Sequence, residues 1–464
     1  MKDARKEELF RDVVTSLQQA GHKLCVLHGY EGYPEEIASD VDAICEDPAQ
    51  VPRILYERGV ASIVQAWHPE TGGTYRLYRL HRQCNGKPVL LVFDLLTDYG
   101  REGYRFLKGE ELLKTCRRFK FFDVPAPELE FTCYLIRRLM KGSLDEAQAR
   151  RLSRLYSEEP AGCTSQLARF FPEPEAKLIA DAAQRDEWEF VRQHIRRLRQ
   201  AVLDKVRREH PIGALQYWMQ YRLSRMRMRF EEVLRPPGLW ITFLGPDGSG
   251  KTTVATRVEQ DLASAFSSIK WYQRRPLGYS SWRWVMRRYR EMYSSPPDRG
   301  LSSAADGKVH RDEPIRGLSI SLGKLAFWWA FTVFGHMVDI RPRLVDHTLV
   351  IFDRYLWDLL VYPEHYRYGG PLWLARFVSR FIPQPNIVIL LDAPPEVIQA
   401  RKQEVPFEET ARQRQAYLKV INGLSNGHVV NASKPLDDVV DEVERIVLGY
   451  MADRTARRLR LQKK

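Results

Sequence analysis

With 464 residues, of which 44% are hydrophobic and 28% charged, the composition is typical of a globular chain of about three domains. The net charge of +13 predicts anionic partners: nucleotides, nucleic acid, acidic glycans or a membrane surface. Six widely spaced cysteines without a C-x-x-C pair argue against a zinc site or a disulfide scaffold, and favour a reducing, cytoplasmic compartment.

Residues 1–123 are predicted to form a compact α/β unit with strands at 24–28, 41–45 and 89–95. Asp40 and Asp42 lie two residues apart, so in a strand they point to the same face. Asp94, at the end of the apolar run 89–93, could supply a third carboxylate. Three converging acids would hold two Mg²⁺ ions that align an attacking hydroxyl and stabilise a leaving pyrophosphate.

A glycine (Gly29), a short spacer, an Asp-x-Asp pair and a distant acid resemble the nucleotidyltransferase superfamily over residues 22–100. The resemblance implies an α/β nucleotidyltransferase-like domain whose metal ligands would be Asp40, Asp42 and Asp94. Tyr30 departs from the pattern, because the family prefers glycine or serine at a turn that contacts triphosphate. The fold is therefore expected, and retained catalysis is left open.

Residues 124–235 are predicted to form an arginine-rich helical connector, with its longest helix candidates at 186–210 and 214–234. We interpret it as scaffold, with a solvated cationic face. A nucleic acid or an anionic lipid on that face is the alternative.

The run Arg235-Pro236-Pro237-Gly238 marks a domain boundary, and a second α/β domain is predicted over residues 236–453. Its apolar strands, at 239–244, 349–352 and 386–391, alternate with helical segments. That alternation predicts a parallel sheet with helices on both faces. Residues 454–464 are expected to form a frayed basic tail.

The apolar stretch at 325–338 is shorter than the roughly 20 residues needed to span a bilayer. It predicts a buried core helix, with peripheral membrane contact as the alternative.

Residues 245–252 read G-x-x-x-x-G-K-T between an apolar strand and a helical pattern. In this setting the glycines let backbone N–H groups wrap a polyphosphate at a helix N-terminus. Lys251 would reach the β- and γ-phosphates, and the Thr252 hydroxyl would hold Mg²⁺. The predicted nucleotide-binding residues of this loop are Gly245, Pro246, Asp247, Gly248, Ser249, Gly250, Lys251, Thr252 and Thr253.

A carboxylate, Asp353, closes the apolar run 349–352, which would place an acid beside Mg²⁺ at a strand's C-terminal edge. Arg354 directly after it could clamp phosphate oxygens during transfer. Further on, Leu391-Asp392-Ala393-Pro394-Pro395 leads into a helix with basic residues suited to a lid that excludes water. The lid candidates are Arg401, Lys402, Arg412 and Arg414.

Together the phosphate loop, the Asp353-Arg354-Tyr355 motif and the segment 391–397 resemble the thymidylate kinase family over residues 239–450. The resemblance implies ATP and Mg²⁺, a nucleoside-monophosphate-kinase-like core, a mobile lid, a dimer, and an acceptor-facing role for Asp247. Tyr355, beside the motif's arginine, is expected on the acceptor side.

The family's acceptor-binding Arg-Glu-Pro-Gly-Gly segment is absent, and Arg274 and Arg275 lie in its place, before a long aromatic and basic insertion. We therefore predict a small-molecule or glycan acceptor other than dTMP, with Asp353 or Asp247 as base toward a hydroxyl. A solvated basic insertion remains an alternative for the segment.

The resulting hypothesis is an ATP- and Mg²⁺-dependent kinase of a sugar, glycan, nucleoside or nucleotide, fused to a nucleotidyltransferase-like domain. A thymidylate kinase is one alternative. A nucleotide-gated protein that binds nucleic acid is the other, less favoured because no RNA-binding motif is recognisable.

Overall fold

The structure is a computed structural model that describes residues 4–37, 40–67, 76–84, 87–209, 211–273, 317–403 and 405–461. It divides the chain into two compact units. The first comprises Met1–Glu231 with Leu448–Lys464, and the second comprises Glu232–Val447. The predicted domain 1–123 and the predicted connector 124–235 thus fall almost wholly within one unit.

The first unit contains a mixed sheet in the order β3-β4-β5-β2-β1-β9-β8 and a small β6-β7 hairpin. Its strands are β1 Leu24–Val26, β2 Val41–Cys45, β3 Ser62–Trp67, β4 Arg76–Cys84, β5 Lys87–Leu96, β6 Tyr99–Arg101, β7 Tyr104–Leu107, β8 Arg117–Phe119 and β9 Phe122–Val124. β2 runs parallel to β5, and β1 runs parallel to β9 and antiparallel to β2.

The helices of the first unit follow in chain order. They are α1 Ala4–Gln19, α2 Val51–Glu57, α3 Gly109–Lys114, α4 Pro127–Lys141, α5 Glu146–Glu158, α6 Pro160–Phe170, α7 Glu173–Arg185, α8 Glu189–Gln193, α9 Ile195–Glu209 and α10 Pro211–Leu234, which extends three residues past the unit boundary. The connector is helical as predicted, although the candidate 186–210 is two helices, α8 and α9.

Alternate residues of β1 enter two different cores. Leu24 and Val26 pack with α1, whereas Cys25 packs in a cluster that includes Phe131 and Leu135 of α4. Because the helical connector shares this second core with the sheet, the two segments fold as one unit.

The second unit is built on a parallel sheet in the order β11-β12-β10-β13-β14. Its strands are β10 Leu239–Leu244, β11 Ser268–Gln273, β12 Thr348–Asp353, β13 Ile387–Asp392 and β14 Gly427–Asn431. Every residue of β10 is buried, with Trp240 and Leu244 in a cluster that includes Ile340 and Tyr417. The predicted parallel α/β sheet is confirmed.

The helices of the second unit follow in chain order. They are α11 Lys251–Leu262, α12 Leu318–Gly335, a π-helical turn His336–Ile340, α13 Arg341–Val345, α14 Asp358–Val361, α15 Leu372–Val378, α16 Pro395–Arg401, α17 Phe407–Asn422 and α18 Leu436–Arg458. Short 3₁₀ turns lie at Ala263–Ala265 and Ser379–Phe381.

The last helix, α18, begins in the second unit and ends in the first. Residues 454–458, predicted to be frayed, continue this helix. The Thr455 hydroxyl donates to the carbonyl of Val64 in β3, and Ala456 is buried.

The prediction of a short, buried helix at 325–338 is wrong. The helical segment runs continuously from Leu318 to Val345, and only 33% of its most apolar window is buried. By length and composition alone it is long enough and apolar enough to cross a membrane, a test that core helices of other proteins also pass. Its exposed apolar side chains are Leu318, Ile320, Leu322, Trp329, Phe334, Met337 and Val338.

Phe122 should be a main support of the first unit. Its ring is fully buried, with centroids 5.4 Å from Phe10 and 5.4 Å from Phe121. Phe122→Ala should lower the free energy of unfolding by about 3–5 kcal/mol, because it removes the transfer energy and leaves a cavity. Denaturant unfolding followed by circular dichroism measures this. Tyr56→Ala, at a residue 43% exposed, is the control and should change it by less than about 1 kcal/mol.

Candidate active site

The predicted phosphate-binding loop connects the end of β10 to the start of α11. Gly245, Gly248 and Gly250 have φ angles of 142°, 91° and 89°, which side chains rarely tolerate. A Cβ on Gly245 would lie 2.7 Å from Ser249 Oγ and 2.9 Å from the carbonyl of Leu391, so the loop also has no room there. Successive backbone N–H groups in such a loop form an anion-binding concavity at the helix N-terminus.

Lys251 is 6% exposed, and its Nζ donates to the carbonyls of Gly245 (3.0 Å) and Pro246 (2.8 Å). Burial lowers the pKa of Lys251 to about 8, and Arg354 acts in the same direction, whereas Asp247 and Asp353 raise it. The ammonium is thus held against the loop, ready to exchange carbonyl partners for phosphate oxygens.

Thr252 and Asp353 lie together as predicted for magnesium ligands. The Thr252 hydroxyl donates to Asp353 Oδ2 at 3.3 Å, and Asp353 Oδ1 is buried without a hydrogen-bond partner. Mg²⁺ is bound by hard oxygen donors. The Thr252 hydroxyl and the two carboxylate oxygens of Asp353 are donors of this kind. These residues therefore fit the ion, which would neutralise phosphate charge when bound.

Arg354 is held by carboxylates on both sides. Its Nη2 donates to Asp247 Oδ1 of the phosphate loop, and its Nη1 lies 3.5 Å from Asp358 Oδ2. Asp358 is 2% exposed and accepts a 2.9 Å hydrogen bond from the Tyr417 hydroxyl. Arg354 itself has a φ of 71°, in the left-handed region, and its backbone N–H donates to the carbonyl of Phe243.

Asp358 and Tyr417 were not predicted as site residues. They lie 59 positions apart, on α14 and α17, and no local motif connects them. The signal available in the sequence was a single carboxylate four residues after Arg354, which is helical spacing.

The prediction that Tyr355 contacts the acceptor is not supported. Tyr355 is 2% exposed, its hydroxyl donates to the carbonyl of Pro383 at 2.9 Å, and its ring packs edge-on against Trp240, Phe352 and Trp357. The left-handed residue Arg354 separates Tyr355 from the strand and turns it into the core.

The predicted lid cations are mostly engaged in the fold. Arg401 donates to the carbonyl of Ala432 at 3.0 Å, and Arg414 binds both carboxylate oxygens of Asp392, at 2.7 and 2.9 Å. Arg412 pairs with Glu409. Lys402 lies beside the phosphate loop, because a Cβ on Gly248 would meet its Cβ at 3.1 Å.

Arg274 and Arg275, the other acceptor-side candidates, lie outside the described residues, as does most of the aromatic insertion. Immediately before them, Trp271 donates to Glu259 at 2.6 Å, and Tyr272 donates to Asp339 at 2.5 Å while stacking on Phe352. Both aromatic residues belong to β11, and their hydrogen bonds connect it to α11 and to the π-helical turn.

The N-terminal acids are arranged differently from the prediction. Asp42 and Asp94 are register neighbours on β2 and β5, but Asp40 is exposed and precedes the strand. Asp42 Oδ2 accepts a 2.9 Å bond from Arg137 and lies 3.1 Å from His28 Nε2. Within the described ranges, no group of three His, Cys, Asp or Glu side chains could hold a metal. The N-terminal magnesium site is thus not supported, because a guanidinium already neutralises Asp42.

Tyr30, the departure from the nucleotidyltransferase pattern, is buried and donates to Glu130 at 2.6 Å. It is therefore a structural residue in this unit. The nucleotidyltransferase-like fold stays a prediction.

A glycine loop between a buried parallel strand and a helix, with a lysine at its end and a carboxylate on the adjacent strand, is the arrangement of a P-loop nucleotide-binding domain. The family model described as thymidylate kinase matches residues 323–443. A thymidylate kinase of Xanthomonas oryzae is 29% identical over 237 residues, covering 48% of this chain and 88% of its own length. The thymidylate kinase of Staphylococcus haemolyticus is 27% identical, covering 46% and 98%.

Among solved structures, the thymidylate kinase of Ehrlichia chaffeensis is 20% identical over 45% of this chain and 98% of its own, with a TM-score of 0.31. The sequence relatives and the family model all match the C-terminal half. This half of the chain therefore contains a thymidylate kinase-like domain with a nucleotide-binding P-loop.

The lowered pKa of Lys251 should make nucleotide affinity depend on pH. The protonated lysine binds phosphate, so affinity for Mg²⁺-ATP should be highest below pH 8 and fall by up to about tenfold per pH unit above it. Isothermal titration calorimetry between pH 7 and 9.5 measures this. Lys251→Arg, which stays charged, should bind with a flat profile; an equally steep profile in that variant would contradict the assignment.

Tyr355→Phe separates a core role from an acceptor-binding role. Losing the bond to Pro383 should cost about 1 kcal/mol of unfolding free energy and leave ATP affinity and acceptor KM unchanged. Thermal unfolding and steady-state kinetics together decide. A raised KM with unaltered stability would restore Tyr355 to the acceptor site.

Proposed function

We propose that the C-terminal half transfers the γ-phosphoryl group of ATP, with Mg²⁺, to the hydroxyl of a small-molecule or glycan acceptor. The observation that carries this proposal is the 3.3 Å contact between Thr252 of the phosphate loop and Asp353 of the neighbouring strand. It joins the phosphate-binding and metal-binding elements at one edge of the sheet. Mg²⁺ held there would shield the charge of the phosphates.

Two features around Arg354 support a hydroxyl acceptor. The guanidinium is shared between Asp247 and Asp358, so an acceptor phosphate would have to compete with two carboxylates for it. Asp247 is also 47% exposed, so its carboxylate is accessible to an acceptor hydroxyl. A hydroxyl needs such a base, whereas a nucleoside monophosphate arrives with an oxygen that is already deprotonated.

Phosphorylation of dTMP is the second candidate, and it is favoured by the comparisons. The sequence relatives named here are thymidylate kinases, and they match the same half of the chain. Both candidate functions use the same residues to bind ATP and Mg²⁺. They differ in the acceptor that binds opposite Asp247 and Arg354.

A panel of acceptors tests the proposal. The full-length protein is incubated with Mg²⁺-ATP and dTMP, other nucleotides, nucleosides, monosaccharides or oligosaccharides, and acceptor-dependent ADP and phosphorylated product are measured. Lys251→Ala should abolish turnover, whereas Lys270→Ala, at an exposed lysine on β11, should preserve it. Absence of ADP formation above the Lys251→Ala level with every acceptor class would refute a kinase.

Asp247→Asn distinguishes the two acceptor classes. For a hydroxyl acceptor, loss of the base should lower kcat by about 10²- to 10⁴-fold. For dTMP the loss should be far smaller. Phosphorylated product with dTMP and with no other acceptor in the panel would support the second candidate and contradict the first.

A further inference from the structure

The first unit has a cationic surface that the kinase site does not use. Tyr134, Arg137, Arg138 and Lys141 are spaced at intervals of three and four residues on α4, so they share one face of that helix. Arg137 reaches from this face to Asp42 on β2, at 2.9 Å. The predicted metal ligand Asp42 is therefore covered by a row of cations.

Some of the cationic side chains in this row form no ion pair with an acidic side chain. Arg138 stacks on Tyr134 at 4.9 Å from its ring centroid, and neither Arg138 nor Lys141 forms an ion pair with any residue that the structure describes. The Nε atoms of Arg137 and Arg138 are buried without hydrogen-bond partners. Two guanidinium groups on this face thus each have an Nε donor that makes no hydrogen bond, near the carboxylates of Asp42 and its register neighbour Asp94.

Neighbouring groups indicate a positive field at this point. Burial lowers the pKa of His28, and Arg137, Arg151, Arg101 and Arg138 lower it further, so the imidazole stays neutral. Burial also lowers the pKa of Lys141, with Arg137, Arg138 and Arg101 acting in the same direction. Arg101, in β6, belongs to the same group of cations.

The acids close to this group are Asp40, Asp42, Asp94 and Asp145. Asp94 is the buried register neighbour of Asp42 on β5, and burial raises the pKa of Asp42, with Asp40 acting in the same direction. Asp42 is paired with Arg137, and Asp145 caps α5 by accepting from the backbone N–H of Gln148. Arg151, the next cation along, is held by Glu130 and Glu31 and is not counted in the site.

We propose that Arg101, Arg137, Arg138 and Lys141 bind the phosphate groups of a di- or triphosphate, and that they do so without a divalent metal. Arg137 takes the place beside Asp42 that a metal ion would need, so the guanidinium supplies the positive charge. Arginine forks suit phosphate oxygens, because a guanidinium can make paired charge-assisted hydrogen bonds to them. The first unit is then a binding module for a phosphate-bearing ligand, separate from the P-loop.

Calorimetry on the full-length Lys251→Ala variant tests this, because that substitution removes the kinase site. Pyrophosphate and ATP are titrated in EDTA and again in Mg²⁺. We expect one binding event in EDTA. No binding, or binding only with Mg²⁺, would overturn the proposal. Since the P-loop is disabled, a negative result here leaves the kinase proposal standing, and a failed kinase assay leaves this one standing.

Substitutions in the same background locate the site. Arg138→Ala with Lys141→Ala should weaken pyrophosphate binding about tenfold or more, while Arg53→Ala, at a surface arginine paired with Glu57, should change it less than about twofold. Lys141→Glu, at an exposed position, keeps the test valid if the double variant does not fold. Unchanged affinity in these variants would refute the assignment.

Asp42→Asn gives opposite results for the two kinds of site. Removing the competing carboxylate should tighten metal-free pyrophosphate binding several-fold, because Arg137 is released to the ligand. A metal site would instead lose affinity when its carboxylate is lost, and weaker binding in this variant would exclude the metal-free mode.

Discussion

The register of β10 between β12 and β13 is the constraint on which the kinase site depends. Phe243 pairs with Asp353 on one side, and Leu244 pairs with Leu390 on the other. Since all three strands run in parallel, their carboxyl ends meet at one edge. The phosphate loop leaves β10 at that edge, directly beside the carboxylate of Asp353. A shift of one residue in the pairing of β12 with β10 would turn Asp353 to the opposite face and separate it from Thr252.

The charges at this edge are balanced by neighbouring charged side chains more than by bulk water. Lys251 and Arg354 are both buried, and Asp247, Asp353 and Asp358 lie close enough to offset them. Removing one member of such a network leaves a buried charge without compensation, which is more costly than the pair is stabilising. The same reasoning applies in the first unit, where Arg137 neutralises the buried Asp42.

Features encoded locally could be predicted from the sequence. The phosphate loop, the acid at the end of β12 and the parallel strands each follow from a short run of residues, and the structure agrees with them. Contacts between distant residues could not be predicted. Asp42 meets Arg137 across 95 positions, and Arg414 fixes Asp392 across 22, because tertiary packing alone brings them together. Tyr355 was assigned to the acceptor side because the left-handed turn at Arg354 cannot be recognised from composition.

Arg354 adopts a strained, left-handed backbone conformation at a position where its side chain is needed. An L-residue with a side chain pays about 1–2 kcal/mol to adopt this conformation, and glycine would adopt it freely. A glycine at this position would relax the main chain but would leave the buried carboxylate of Asp358 without its guanidinium partner. Loss of that partner should cost about 3–5 kcal/mol, which exceeds the gain from a relaxed backbone, so the strain at position 354 is tolerated because the ion network requires the side chain.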